Sequence, residues 1–276
     1  MMPETLDFVV PRHSKCNADG LADCLKTAAD PGVAVIDLSE ATWFEPLAFV
    51  AVAAFIERAV NSGREVQVVG PSDWSVANYL SRMRLGLVVE DQGGIHNLNQ
   101  VHEKDLAGAL LELQRFEGEA DVQLLAGMVF DKLNATDPQT AHALYTSIVE
   151  IGANVPQHSG LTSGYMAAQS TYGGKCIHFA VGDAGDGLYM TLRDFGATSE
   201  AHALKLVLEE GVTRTGEPGR GVGIRETRRL AVQTGGLVHM VSGDASRTAG
   251  VGGSISRTSR HVFPGTLLQG KLLCDQ

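Results

Sequence analysis

Ten consecutive apolar residues, Leu47 to Ile56, end at Glu57. A run of that length is too short to cross a bilayer and reads as a buried helix. Around it, residues 5 to 10 and 33 to 38 alternate or run apolar with Val and Ile, as strands do. The helix extends over Leu47–Asn61 and stops at Gly63, Glu65–Val69 forms a third strand, and Ser72 is expected to cap a second helix over Asp73–Met83. Strands alternating with helices of this length specify a small α/β domain.

The chain has 276 residues, 44% of them hydrophobic, enough for roughly two domains. The polar stretch from Asp91 to Glu103, with Gly93, Gly94, Asn97 and Asn99, reads as a junction. The expected division is 1–92, a linker over 93–106, and 107–276. Lys plus Arg number 22 against 32 Asp plus Glu, a net charge of −10. That balance disfavours nucleic acid as the main partner, because binding a phosphate backbone needs a basic stripe. The local cluster Arg225, Arg228 and Arg229 reads as a solvated helix face. Four cysteines form no CxxC pair, which fits a reducing compartment. No basic segment followed by an apolar one opens the chain, so the expectation is a cytoplasmic protein without a membrane partner.

The C-terminal half carries four short motifs. In SIVEIGANVPQHSG, Glu150, Asn154 and His158 recur every four residues on a helix beginning near Gln139, and so share one face. An Asn oxygen is a neutral, hard ligand suited to Mg²⁺, and a carboxylate one turn away can polarise a water. The plainer reading is a polar stripe on a solvated helix. In CIHFAVGDAGDGL a strand over 176–181 is followed by Asp183, Gly185 and Gly187. A carboxylate there can accept the exocyclic amine of adenine while glycines let backbone approach the ring; an ordinary Asp/Gly turn has the same composition.

In GEPGRGVGIRETRRL, Gly219, Gly221 and Gly223 feed a helix over Ile224–Gln233, and a helix N-terminus is an anion site. No Lys and Ser/Thr pair follows, so this is not a Walker loop, and no βαβ unit with a spaced acidic residue follows either. In FPGTLLQGKLL, Gly265 and Thr266 head the last strand, where a Thr hydroxyl can hold a water against Asp183 and a base. The other strands of this half are expected at Ala109–Phe116, Cys176–Val181, Gly187–Asp194, Leu237–Ser242 and Gly265–Leu273, with a helix over Asp121–Leu133.

In this order and spacing, from about Ala109 to Leu273, the four motifs resemble the GHKL ATP-binding family, which includes gyrase-type and chaperone ATPases, histidine kinases and anti-sigma-factor serine kinases. The resemblance implies an α/β sandwich, a mixed sheet with helices on one face, that binds ATP and Mg²⁺. It implies that Asn154 coordinates Mg²⁺, Glu150 is the catalytic base, Asp183 reads adenine with Thr266 supporting it through water, Gly185 and Gly187 shape the base pocket, and Gly219, Gly221 and Gly223 form a hinged lid. Arg220 stands either against the terminal phosphate or in solvent. The ExxxNxxxH spacing and LEEGVTRTGEPGRGVGI are most similar to the anti-sigma-factor serine kinases, a branch bacterial in character, although His158 is read as structural. Pro156 departs from an ideal helix, with Gly152 placed to ease a kink.

A histidine kinase would need an acceptor His on a preceding helix. Val122–Leu133 has none, and His142 lies on the pocket helix itself. Gyrase-like members draw a lysine from a further domain, and without one ATP hydrolysis is expected to be slow. Residues 5 to 90 more loosely resemble a STAS domain, the fold of anti-sigma-factor antagonists. There the acceptor Ser precedes the first helix, where this chain has Glu45, Pro46, Leu47 and Ala48. Glu45 is either a capping acid or an imitation of a phosphorylated loop. The resulting expectation is an ATP-binding regulatory protein of the partner-switching type, with ATPase or protein serine kinase chemistry and a STAS-type or sigma-factor-type protein partner. The alternative is a non-catalytic module whose lid, residues 195 to 223, switches a protein interface. A homodimer stays open.

Overall fold

The structure, a computed structural model, describes residues 5–99, 109–158, 161–211 and 222–274. Its α/β class is the one expected. The N-terminal half runs β1 (Leu6–Val9), β2 (Ser14–Cys16), α1 (Leu21–Cys24), β3 (Leu25–Thr27), β4 (Val33–Asp37), β5 (Ala41–Phe44), α2 (Pro46–Asn61), β6 (Glu65–Val69), α3 (Trp74–Arg82), α4 (Leu85–Asp91) and β7 (Ile95–His96). Five of these strands form a sheet in the order β3-β1-β4-β6-β7, antiparallel only at β1–β3, while β2 and β5 pair apart. The cap of α3 is Asp73, one residue past the expected Ser72. Its carboxylate accepts the N–H groups of Ser75 (2.8 Å) and Val76 (3.1 Å), orphan donors that the first turn of a helix leaves over.

The C-terminal half runs β8 (Ala109–Glu117), α5 (Gly118–Asn134), α6 (Pro138–His158), β9 (Ser163–Thr171), β10 (Cys176–Asp183), α7 (Leu188–Leu192), α8 (Glu200–Lys205), α9 (Val222–Gln233), β11 (Leu237–Gly250) and β12 (Gly253–Leu273). Its five strands order β11-β12-β10-β9-β8, and every pair is antiparallel where a mixed sheet was expected. The short connections β9–β10 and β11–β12 are hairpins, which only antiparallel neighbours allow. β11 and β12 also run on past the sheet as a long two-stranded arm, Gly243 to Gly250 facing Phe263 back to Gly253.

One expected strand is a helix. Residues 187–194 form α7 and a 3-10 turn over Arg193–Phe195. Gly187 sits at φ +82°, and the next two N–H groups are taken by side chains: Leu188 donates to Ser242 Oγ (2.8 Å) and Tyr189 to Glu200 Oε2 (3.1 Å). Donors satisfied in that way start a helix and are lost to a ladder. α6 continues as helix through Pro156 to His158, and the side chains of 156–158 lie outside the described residues.

The two halves share α2. Its residues from Pro46 to Glu57 are all buried, as a helix apolar on every side requires. It packs on β4 and β6 of the first sheet and on β9, β10 and β12 of the second. Along the second sheet the pleat alternates: Tyr165, Ala167, Ala180 and Leu267 face α2, whereas Met166, Ala168, Phe179, Val181 and Leu268 face a separate core with α5, α6 and α9. Layered in space, the molecule is therefore sheet, α2, sheet, helices. Large side chains fully buried in such an interface each contribute roughly 1.5–3 kcal/mol relative to exposure. Polar contacts stitch the same boundary. Glu57 accepts from Ser163 Oγ (2.8 Å) and pairs with Arg115 (3.4 Å), Gln269 Nε2 donates to Glu45 (3.3 Å), and Tyr79 donates to Gln169. Among the described residues no helix is long and apolar enough to cross a membrane.

Candidate functional site

Asp183 is the last residue of β10, and its register partner on β12 is Thr266. By the pleat alternation both point to the face covered by α5, α6 and α9. The carboxylate of Asp183 is 5% exposed and accepts the Gly185 N–H at 2.8 Å and the Thr266 N–H. Burial pushes its pKa up to about 7. The two N–H groups work against that rise, and the charges of Glu57 and Asp186 add to it. Gly265 closes the corner: at φ +113° an added Cβ would lie 1.9 Å from the Asp183 carbonyl oxygen, so backbone touches backbone there. Asp183, Gly185, Gly265 and Thr266, chosen from sequence, form one cluster.

Gly187 joins it through residues that the sequence did not single out. Glu200 Oε2 accepts from Ser242 Oγ (2.8 Å) and from the Tyr189 N–H, and a Cβ on Gly187 would meet both Glu200 Oε1 and Ser242 Oγ at 3.0 Å. Burial holds the Glu200 carboxyl above its ordinary range, opposed by its hydrogen bonds to Ser242 and Tyr189. This network fastens the starts of α7 and α8 to β11, and with them the loop from Asp183 to Gly187. Its sequence signal is thin. Glu200 follows Ser199, whose side chain caps α8, so it reads as a first-turn acid.

The second cluster joins α6 to α9. Glu150 is half-buried and its carboxylate accepts the Gly223 N–H. Burial raises its pKa, that hydrogen bond lowers it, and the charge of Glu226 raises it. An added Cβ on Gly223 would stand 2.4 Å from Glu150 Cβ, so the helix start lies directly on the glutamate. Thr227, buried, donates to the Gly223 carbonyl (2.6 Å) and secures that first turn. Asn154, also half-buried, is one turn beyond Glu150 on α6. α6 packs against β9 and β10 and α9 against β11 and β12, so both clusters occupy one face of one sheet. Gly219, Arg220 and Gly221 lie outside the described residues, as does the side chain of His158.

No group of three or more His, Cys, Asp or Glu side chains with metal-holding geometry occurs among the described residues. A lone Asn oxygen such as that of Asn154 could hold only an ion that keeps most of its waters or takes its other oxygens from a bound anion, as Mg²⁺ does with phosphates. The sequence matches no protein-family model and no curated protein.

Proposed function

We propose that the C-terminal half binds Mg-ATP and that the protein is a regulatory switch of the partner-switching type. The observation that carries this reading is the pairing of Asp183 with Thr266, in register at the end of β10 and on the helix-covered face, with Gly265 backbone against Asp183. A buried acceptor held by two N–H groups and flanked by bare backbone suits a flat heteroaromatic ring with an exocyclic amine. In this reading Asp183 takes the adenine amine, Thr266 holds a water beside it, and Asn154 ties Mg²⁺ to the phosphates. Glu150 orients the attacking nucleophile.

Glu45 meets Gln269, and Gln269 projects to the α2 side of the sheet, opposite Asp183. Transfer to that loop within one chain would have to cross the sheet, so a kinase reaction would act on another protein. A binding-only switch is favoured by one further observation. Glu150 already accepts the Gly223 N–H at the start of α9, which commits part of its acceptor capacity to the protein itself. Calorimetric unfolding with and without Mg-ATP tests the pocket: at a hundredfold excess over Kd the wild type gains about 2.7 kcal/mol and Asp183→Ala gains nothing. If both respond alike, the adenine assignment is wrong. Turnover by wild type that Glu150→Ala abolishes favours the catalytic form; its absence in wild type favours the binding-only one.

A further inference from the structure

A cavity of about 550 Å³ opens between the C-terminal end of α2 and the loop that carries Gly185 and Asp186. That size suits a small molecule. Its walls are largely apolar: Leu6, Phe55 and Phe263 are buried in it, and Met190 and Val262 stand exposed at its rim. Four charged residues line it, Arg58, Arg64, Asp186 and Glu200, and they differ in how far they are already used. Arg64 is held on all three nitrogens, donating to the carbonyls of Leu6, Asp30, Pro31 and Val33 and to Asp7. Glu200 is held by Ser242 Oγ and the Tyr189 N–H. Arg58 is not so engaged. It has one long bond to the Ala184 carbonyl (3.5 Å) and a 3.7 Å pairing with Asp186, whose side chain is 65% exposed.

A loosely paired guanidinium beside an apolar chamber is an anion receptor with a hydrophobic seat. An exposed ion pair such as Arg58–Asp186 is weak and easily displaced. We propose that this cavity binds a small apolar anion, its carboxylate or sulfonate on Arg58 in place of Asp186 and its hydrocarbon body against Phe55 and Phe263. Neither Asp183 nor Thr266 is among its walls, although Gly185 and Gly265 are, so the cavity adjoins the proposed base pocket through that loop, and its test is run without nucleotide.

The test uses the intact protein without nucleotide and the probe 1-anilinonaphthalene-8-sulfonate, followed by fluorescence titration with near-ultraviolet circular dichroism as the check on native packing. Wild type binds saturably with blue-shifted emission. Arg58→Met, which keeps the hydrocarbon stem, binds roughly tenfold more weakly, the loss expected for one charge-assisted hydrogen bond. Arg58→Lys falls between them. The uncharged analogue N-phenyl-1-naphthylamine binds wild type and Arg58→Met equally, and more weakly than the sulfonate binds wild type. No saturable binding by wild type, or equal sulfonate affinity in wild type and Arg58→Met, overturns the proposal.

Discussion

Replacing Asp183 by Asn removes a charge that its buried position accommodates poorly, and the effect has a defined sign. Burial pushes the carboxyl up to about 7 in the folded protein, from 3.8 for an aspartate in water. The folded state therefore binds more protons than the unfolded one between those values, so stability falls as pH rises. The contribution is fully present below 3.8 and lost as pH climbs through about 7. That interval, about three pH units at ~1.4 kcal/mol each, makes about 4 kcal/mol over the whole window, of which roughly 3 kcal/mol falls between pH 5 and 8.

Calorimetric Tm values at pH 5, 6, 7 and 8 for wild type and Asp183→Asn measure it. His178 and His239, which burial holds down at about 4, titrate alike in both proteins and cancel in the difference. The wild type should lose about 6–12 °C relative to the variant across that range, at ~2–4 °C per kcal/mol. Mg-ATP, whose adenine amine favours the ionised carboxylate, should bind wild type about tenfold more weakly at pH 6 than at pH 8, beyond any slope seen in Asp183→Asn. Two Tm curves that run parallel from pH 5 to 8 would refute the account of the buried carboxyl.

Gly265→Ala should be more damaging than its size suggests. A methyl 1.9 Å from the Asp183 carbonyl, at φ +113°, forces β10 and β12 apart, and a loss of at least ~3 kcal/mol in urea unfolding is expected; a loss under about 1 kcal/mol would show that the corner tolerates a side chain. Ser242→Ala removes one hydroxyl that both accepts from Leu188 and donates to Glu200. About 1–3 kcal/mol should be lost locally, read as faster hydrogen exchange over residues 188–205 while β9 and β10 keep their protection; unchanged exchange there would mean that Ser242 does not fasten the loop.

How much was legible depended on whether a residue's surroundings are local. The buried helix α2 showed in its composition, and β4, β6 and β10 in their runs of Val, Ile and Phe. β9 escaped notice. Its residues Ser163–Gln169 are buried on both faces between α2 and the helix layer, so no alternation marks them, and Ala167 and Ala168 resemble a helix as much as a strand. The outer half of β12 was missed for the opposite reason: it is mostly exposed, and pairs only with β11 there. Asp183, Gly265 and Thr266 were singled out by the order and spacing of their motifs, since each alone reads as an ordinary turn or strand end, and the structure brings the three to one corner. Glu200 and Ser242 sit 42 residues apart and meet only after β11 is laid into the sheet. The strand expected at 187–194 failed on the same contact, since its first two N–H groups go to those distant side chains.

With α2 between them, neither sheet has a surface of its own on that side. Val50, for instance, comes so near Gly182 that a methyl there would approach it to 2.9 Å. Positions on this helix are thus answerable to two neighbours at once, and drift in one half is expected to be matched by compensating change in the other. Divergence along such a chain should leave paired substitutions across the boundary, with α2 changing most slowly.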